Sequence, residues 1–359
     1  MTSAAAATPL GVIEGYYGRP WSWEDRADTA AFLADHGYGF YLYAPKADVF
    51  LRRRWREAHP ADQAERIAAF ARRCGDIGVA FGVGLSPFEI YRAFDAEAKA
   101  ALADKLAHLD QLGARWLAIL FDDMRGDLPG LAGAQADILH WIAGRTRAER
   151  LIVCPTYYSD DLGLDRAFGP RPAGYLADLG AALDPTIDVF WTGPEVCSRE
   201  LRAGHLARLG DQLRRKPLLW DNYPVNDGPR MSPYLHLRAF TGRSAAIAPE
   251  IAGHAINPAL QPVLSRIPAL TLADSYRLGE AYDYGQAFHR AARAVLGPEL
   301  ARVVESRLTA LQDVGLDNLG DGAARLRARL AGFDHPGARE IVAWLDGAWR
   351  ITREELEAS

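Results

Sequence analysis

ARWLAILFDD, residues 114–123, stays apolar through its centre and then ends on two adjacent aspartates. A strand with one wet face alternates apolar with polar residues. A run that is apolar at every step suits a strand covered on both faces, as in a parallel sheet. The same pattern recurs on either side. Upstream lie GVIEGYYG (11–18), YGFYLYAPK (38–46) and VAFGVGLSP (79–87). Downstream lie RLIVCPTYY (150–158), TIDVFWTG (186–193), KPLLWDN (216–222) and AAIAPEIAGHAIN (245–257). Between them come stretches with helical spacing, among them ADQAERIAAFARRCGDIG (61–78) and AEAKAALADKLAHLDQLG (96–113). Eight runs with interposed helices predict an α/β protein built as a (β/α)8 TIM barrel. An open doubly wound sheet is the rival, but the first run ends in EGYYG rather than in a dinucleotide-cradling GxGxxG. The barrel is therefore expected.

From residue 286 onward the strands stop. QAFHRAARAVLG, PELARVVESRLTALQDVG and GAARLRARLAGF carry helical periodicity alone. The expected division is a flexible N-terminus (1–10), a barrel catalytic domain (11–285) and a small C-terminal helical domain (286–359). The apolar stripe of that tail must bury against the barrel or a partner. A homodimer through the C-terminal helices is thus one expectation.

Composition narrows the function classes. About half of the 359 residues are apolar and a quarter are charged, which excludes a disordered chain, a collagen-like repeat and a coiled coil. With 41 basic against 46 acidic residues and no long like-charge block, a nucleic-acid binder, which normally shows a basic face, is not expected. Only four of the basic residues are lysine, so Lys46 at a strand end stands out. No stretch reaches the roughly 18 apolar residues of a membrane span. MTSAAAATPL at the start lacks a basic, then long apolar, leader, so no signal peptide is expected. Cys74, Cys154 and Cys197 are far apart without a CxxC and read as reduced thiols. The expected location is cytoplasmic.

In such a barrel the site forms where the strands end at their C-terminal side. Those ends read Glu14-Gly15-Tyr16-Tyr17-Gly18, Tyr43-Ala44-Pro45-Lys46, Asp122-Asp123, Thr156-Tyr157-Tyr158, Trp191-Thr192-Gly193, Trp220-Asp221-Asn222 and Asn257-Pro258. Strand 7 continues through Tyr223-Pro224-Val225-Asn226-Asp227. Carboxylates, amides and aromatic faces together suit a carbohydrate, whose C–H faces stack on rings and whose hydroxyls need bidentate partners. Successive residues of a strand face opposite ways, so Asp122 and Asp123 can share a site only where the strand bends into its loop. Two close carboxylates resist joint ionisation, so one pKa rises and the other falls. That supplies the proton donor and the charged stabiliser that glycoside cleavage requires. Taken singly, each residue has a plainer reading: a helix cap for the acids, a tight turn for Gly15 and Gly18, a core ring for Tyr158 or Trp220. The ordered set carries the inference.

GVIEGYYGRPWS, YAPK, the DD after strand 4, CPTxY, WTG, WDNYPVND and the later NP together resemble the family 84 glycoside hydrolases. These β-N-acetylglucosaminidases include the O-GlcNAcases and were once called hyaluronidases. The resemblance covers residues 11 to about 285, with WDNYPVND its most specific element. It implies a barrel that removes terminal β-linked N-acetylglucosamine with retention, the substrate's own acetamido group acting as nucleophile. It implies that Asp122 orients the acetamido N–H and that Asp123 is general acid, then base. Tyr158 and Asn222 would bond the acetamido oxygen or the intermediate, and Trp220 would wall the acetyl methyl. Gly15 (through its carbonyl), Lys46, Asp227 and Asn257 would hold sugar hydroxyls. No cofactor and no metal are implied; the partner is a glycan or glycoprotein bearing N-acetylglucosamine. This chain departs from the family pattern at Ala47 after Lys46, at Tyr157 and in LSPFEIYRAF after strand 3.

Rival classes differ at identifiable residues. A metal-dependent barrel hydrolase would present paired histidines at strand ends, and the nine histidines show no such pairing. A non-catalytic glycan-binding barrel would be expected to have lost one of the two aspartates. A hexosaminidase acting on chitobiose-type or cell-wall glycans is the enzymatic alternative.

Overall fold

The computed structural model describes residues 8–352. Eight parallel strands close in chain order: β1 (Leu10–Ile13), β2 (Tyr38–Tyr43), β3 (Ala80–Leu85), β4 (Trp116–Leu120), β5 (Arg150–Cys154), β6 (Asp188–Trp191), β7 (Leu218–Asp221) and β8 (Gly253–Ile256). Closure is direct, with Leu10, Gly11 and Val12 registered against His254, Ala255 and Ile256. The barrel is the one expected from the eight apolar runs. Around it stand α1 (Trp23–Ala34), α2 (Ala61–Asp76), α3 (Ala96–Gln111), α4 (Leu131–Ala143), α5 (Leu162–Phe168), α6 (Tyr175–Ala182), α7 (Ala203–Leu213) and α8 (Pro262–Leu278). Local chemistry starts them: Ser22 and Asp25 form a reciprocal capping box on α1, and Asp95 caps α3.

The continuous apolar runs are explained by two cores on opposite sides of one sheet. Phe40, Leu42, Ala118, Leu120, Phe190 and Trp220 fill the barrel interior. Their alternates Tyr41, Tyr43, Leu117, Ile119 and Leu219 pack outward under the helices. Each strand is thus buried on both faces.

Two segments differ from the sequence reading. The run 245–257 is a strand only at its end, because Ala245–Glu250 forms a 3-10 helix containing Pro249, which cannot donate to a sheet ladder. The short helix α5 follows β5, where no helical stretch was expected; Asp161 caps it through Gly163 N–H at 2.7 Å.

The helical region comprises α9 (Tyr284–Glu305), α10 (Gly322–Leu330) and α11 (Pro336–Leu345). Tail segment 286–297 and the first part of 298–315 run on as α9, broken at Gly297, whose φ of 72° precedes Pro298, and Ala310–Val314 forms a separate π-helical turn. Their apolar stripes are buried with Val263, Leu264, Ile267 and Leu270 of α8 in a second core. Among the described residues no helix is long and apolar enough to cross a membrane. The expected flexible N-terminus lies largely outside the described residues, although Leu10 already belongs to β1. The tail beyond 352 lies outside them as well.

Candidate active site

Alternation along the strands decides which end residues reach the barrel axis. Ile13 points inward, so Glu14 points outward and Gly15 inward again. Glu14 is fully buried beneath α1, where its carboxylate accepts Arg26 Nε and Nη2 at 2.6 and 2.9 Å and the hydroxyls of Tyr16 and Tyr41 at 3.0 and 2.5 Å. Asp221, between inward Trp220 and Asn222, also faces out, onto Arg243 at 2.7 Å and His254 at 3.0 Å. Tyr157 donates to Gly169 O at 2.7 Å, and Asn226 donates to Tyr234 O and Gln261 Oε1 at 2.9 Å. These four strand-end polar residues tie the loops and helices to the barrel.

The remaining candidates converge. Gly15, Lys46, Asp122, Asp123, Tyr158, Trp220, Asn222, Asp227 and Asn257 all line one cavity of about 160 Å³ at the C-terminal end of the strands. The two aspartates share it because β4 ends at Leu120 and Asp123 takes a left-handed turn, with φ 58°. A non-glycine residue there is strained, and such strain concentrates where a side chain must be aimed. Lys46, almost fully buried, makes an ion pair with Asp122 Oδ2 and lies 3.6 Å from Asp123 Oδ2. The other carboxylate oxygen, Asp122 Oδ1, is buried without a hydrogen-bond partner among the described residues.

A chain of amides braces the opposite wall. Asn222 Oδ1 accepts Trp220 Nε1–H and Asn257 Nδ2–H, both at 3.0 Å, and its own Nδ2–H donates to Val196 O at 2.9 Å. A hydrogen bond from Asn222 to a ligand must therefore come from its second N–H. Asn257 Oδ1 accepts Gly15 N–H at 3.1 Å. Gly15 is needed for close approach rather than for a tight turn: a Cβ there would sit 1.9 Å from the Trp220 ring. Trp220 stands edge-on to Phe190 at 5.3 Å between centroids, which fixes its plane.

Electrostatics splits the pair as expected, yet in the order opposite to the roles the resemblance implies. Burial raises the pKa of Asp122; Lys46 pulls it down and Asp123 pushes it up again, leaving it raised. Burial acts on Asp123 too, but Lys46, the Tyr17 hydroxyl and Arg52 outweigh it and hold Asp123 below its ordinary value. Burial works against the Lys46 ammonium, and the two carboxylates more than offset it. Asp227 is pushed up to about 6, mainly by burial, with Tyr17 N–H opposing and Asp123 adding to the rise.

Tyr17 and Arg52 were not singled out from the sequence. Tyr17 lines the cavity, donates its hydroxyl to Asp123 Oδ2 at 2.5 Å, and gives its N–H to Asp227 Oδ2 at 2.8 Å. Its inward parity, two residues after Gly15, was the available signal. Arg52 lies 4.0 Å from Asp123 Oδ2, but in RRRWRE it reads as a solvated basic face. A larger cavity, about 780 Å³, opens at the opposite end of the barrel beside Leu10, Ala273 and Tyr276, away from every strand C-terminus. Among the described residues no group of three or more His, Cys, Asp or Glu is placed to hold a metal ion.

A parallel barrel with paired carboxylates, a lysine, braced amides and an indole wall at its strand ends defines a barrel glycosidase. Comparison with known proteins agrees. A family model described as beta-N-acetylglucosaminidase matches residues 10–311. The protein O-GlcNAcases of Mus musculus and Rattus norvegicus are each 30% identical over 276 residues, 74% of this chain and 30% of theirs. The chain thus spans under a third of the length of those curated relatives. A solved mutant of the Thermobaculum terrenum O-GlcNAc hydrolase superposes with a TM-score of 0.80 at 28% identity, covering 94% of this chain and 80% of that one. CpGH84B shares the fold with a TM-score of 0.76 at 24% identity, covering 95% of this chain and 66% of that one. The chain belongs to the β-N-acetylglucosaminidase family of glycoside hydrolases.

Proposed function

We propose that the protein removes terminal β-linked N-acetylglucosamine, with retention, by using the substrate's acetamido oxygen as nucleophile. The observation that carries this is the Oδ1 of Asp122, buried without a hydrogen-bond partner among the described residues, beside an Asp123 that accepts from the Tyr17 hydroxyl. An N–H is what that oxygen lacks, and an acetamide supplies one.

The acetamido oxygen bonds to the anomeric carbon as the glycosidic C–O bond breaks, and the leaving oxygen takes a proton from Asp123. Water then attacks the anomeric carbon, opens the oxazoline and returns a proton to Asp123. Asp122 balances the positive charge on the intermediate in a site walled from water. Binding also resolves the order of the pKa values. An N–H donated to Asp122 favours its ionised form, and two adjacent carboxylates resist joint ionisation. The proton therefore moves to Asp123, beside the leaving oxygen. Trp220 walls the acetyl methyl, and Tyr158 and the second N–H of Asn222 bond the acetamido oxygen. The Gly15 carbonyl, Lys46, Asp227 and Asn257 hold the sugar hydroxyls. No cofactor enters these steps.

The relatives named as O-GlcNAcases support a protein-borne sugar as the substrate. Hydrolysis of an aryl β-N-acetylglucosaminide, then of a glycosylated Ser/Thr peptide alongside chitobiose, tests both levels. Turnover of the first with retention is expected; binding without cleavage overturns the catalytic reading. Cleavage of chitobiose in preference to the peptide overturns the assignment of the aglycone.

A further inference from the structure

The connection from β7 to β8, residues 222–252, serves two regions at once. Its first part brings Asn222, Val225, Asp227 and Met231 to the cavity. Its next part is built into the helical region, where Leu235 and Leu237 are buried in the core formed by α8, α9, α10 and α11. The turn that follows α9 grips this part by its backbone. Leu235 N–H donates to Leu311 O at 3.0 Å, and Leu316 N–H donates to Pro233 O at 2.8 Å. Gln312 Oε1 accepts both Leu237 N–H and Arg238 N–H at 2.8 Å. Arg238 pairs with Asp313 at 2.5 Å.

The end of α11 and the chain after it add a second grip, nearer the sugar site. Trp344 Nε1–H donates to Ser232 O, and Ile351 N–H donates to Ser232 Oγ, each at 3.2 Å. The Ile351 side chain is buried among Tyr16, Trp21, Val225 and Leu260, with Met231 packed alongside. Its Cδ1 lies 2.5 Å from where a Cβ would stand on Gly18, which has φ 94°. Ile351 thus touches the loop after β1 and the loop after β7 together. Those two loops meet at the bond from Tyr17 N–H to Asp227.

We propose that the helical region is a positioning element for the sugar pocket, acting through Gln312 and Ile351 to hold Asp227, Val225 and Met231 against the bound sugar. This rests on the N-acetylglucosamine reading above. Neither residue lines the cavity, so each acts through the loop it holds. A loop that wanders binds sugar less well in ground and transition states alike, which raises KM and leaves kcat nearly unchanged.

The test uses the full chain with Gln312→Ala, Gln312→Glu and Ile351→Ala. It measures thermal midpoints, the Kd of free N-acetylglucosamine, and kcat and KM on a nitrophenyl β-N-acetylglucosaminide. Both alanine variants are expected to weaken Kd and raise KM about fivefold with kcat held within about twofold. Gln312→Glu, which keeps an acceptor oxygen, is expected to restore binding. A lowered midpoint with unchanged Kd and KM would overturn the proposal and leave a role in stability alone. Should the alanine variants fail to fold, Ser232→Ala, which deletes only the hydroxyl accepting from Ile351, decides the matter. Weaker sugar binding by about twofold supports the proposal, and unchanged binding overturns it. A wild-type chain that binds the sugar without cleaving the glycoside removes the catalytic reading, and this inference is then judged on Kd alone. A chain that does not bind the sugar overturns both.

Discussion

The hydroxyl of Tyr17 donates to Asp123 Oδ2 at 2.5 Å, while the N–H of the same residue donates to Asp227 at 2.8 Å. One residue from the end of β1 thereby holds carboxylates from the loops after β4 and β7. Asp122, Lys46, Arg52, Tyr158 and Asp227 also bear on Asp123 electrostatically, but Tyr17 is its neutral donor. Deleting that donor removes a group that favours the ionised form, so the pKa of Asp123 should rise. If protonated Asp123 is the working acid, the alkaline limb of kcat/KM for a poor leaving group should move to higher pH in Tyr17→Phe. A limb that stays in place would separate Tyr17 from the acid function.

Asp123→Asn should lower turnover of alkyl or peptide-linked substrates by roughly 10²–10⁴-fold, the usual contribution of a general acid. A nitrophenolate departs without protonation, so its first step should be much less affected. Single-turnover rates are the fair comparison, because the same residue acts as base in the second step. Equal losses across a leaving-group series would remove Asp123 from the acid role.

Burial, with Asp123 adding to the rise, pushes the pKa of Asp227 up to about 6. On the proposed reading, ionised Asp227 would accept sugar hydroxyls as charge-assisted bonds, which are roughly twice as strong as neutral ones. The Kd for N-acetylglucosamine should therefore tighten as pH climbs through about 6, and Asp227→Asn should flatten that dependence. Stability moves the other way. A carboxyl whose pKa is raised on folding contributes stability below its unfolded value and loses it as pH rises through the folded one. Calorimetric titration between the two protonation states reads both signs.

Glu14 and Arg26 show how far a strand-end acid can be from the chemistry. Both are buried, 0% and 2% exposed, and joined in a two-point ion pair. Glu14→Gln leaves the guanidinium without a counter-charge, a change that costs about 3–5 kcal/mol for buried pairs. Replacing both partners with apolar residues of similar volume should cost less than the single change. Urea unfolding measures the two directly, and a single variant as stable as wild type would place the pair outside the barrel's stability.

The barrel was legible because each strand is covered twice, so the runs from GVI to LLW stay apolar at consecutive positions, with only GHAI interrupted, by buried His254. The cavity was legible through order, since seven strand ends carried sugar-compatible groups. Parity then sorted those groups, and parity depends on where each strand stops. Ile13 closes β1, which turns Glu14 outward and Tyr17 inward. Arg52 gave no signal, because its place near Asp123 comes from the fold of the connection after β2 and not from any spacing. The grip of the turn at Gln312 on residues 237–238 was equally hidden, joining segments about 75 residues apart.

The nucleophile itself can be tested through its electron density. If the acetamido oxygen attacks the anomeric carbon, withdrawing density from it must slow that step. Successive fluorination of the acetyl methyl does this with little change of shape in a pocket walled by Trp220. The rate should fall steeply from acetyl through monofluoro-, difluoro- and trifluoroacetyl substrates. A carboxylate nucleophile would respond weakly, because the acetamide would then serve only for binding. Asp122 would contribute through its Oδ1, which has no hydrogen-bond partner among the described residues. An anion accepting the N–H raises the density on the oxygen and offsets the oxazolinium charge, an effect strengthened where water is excluded. Asp122→Asn should therefore slow the first step even with a nitrophenolate leaving group, where Asp123→Asn should slow that step much less. A flat fluorine series, or a glycosyl ester trapped on any Asp or Glu, would refute the substrate's acetamide as nucleophile.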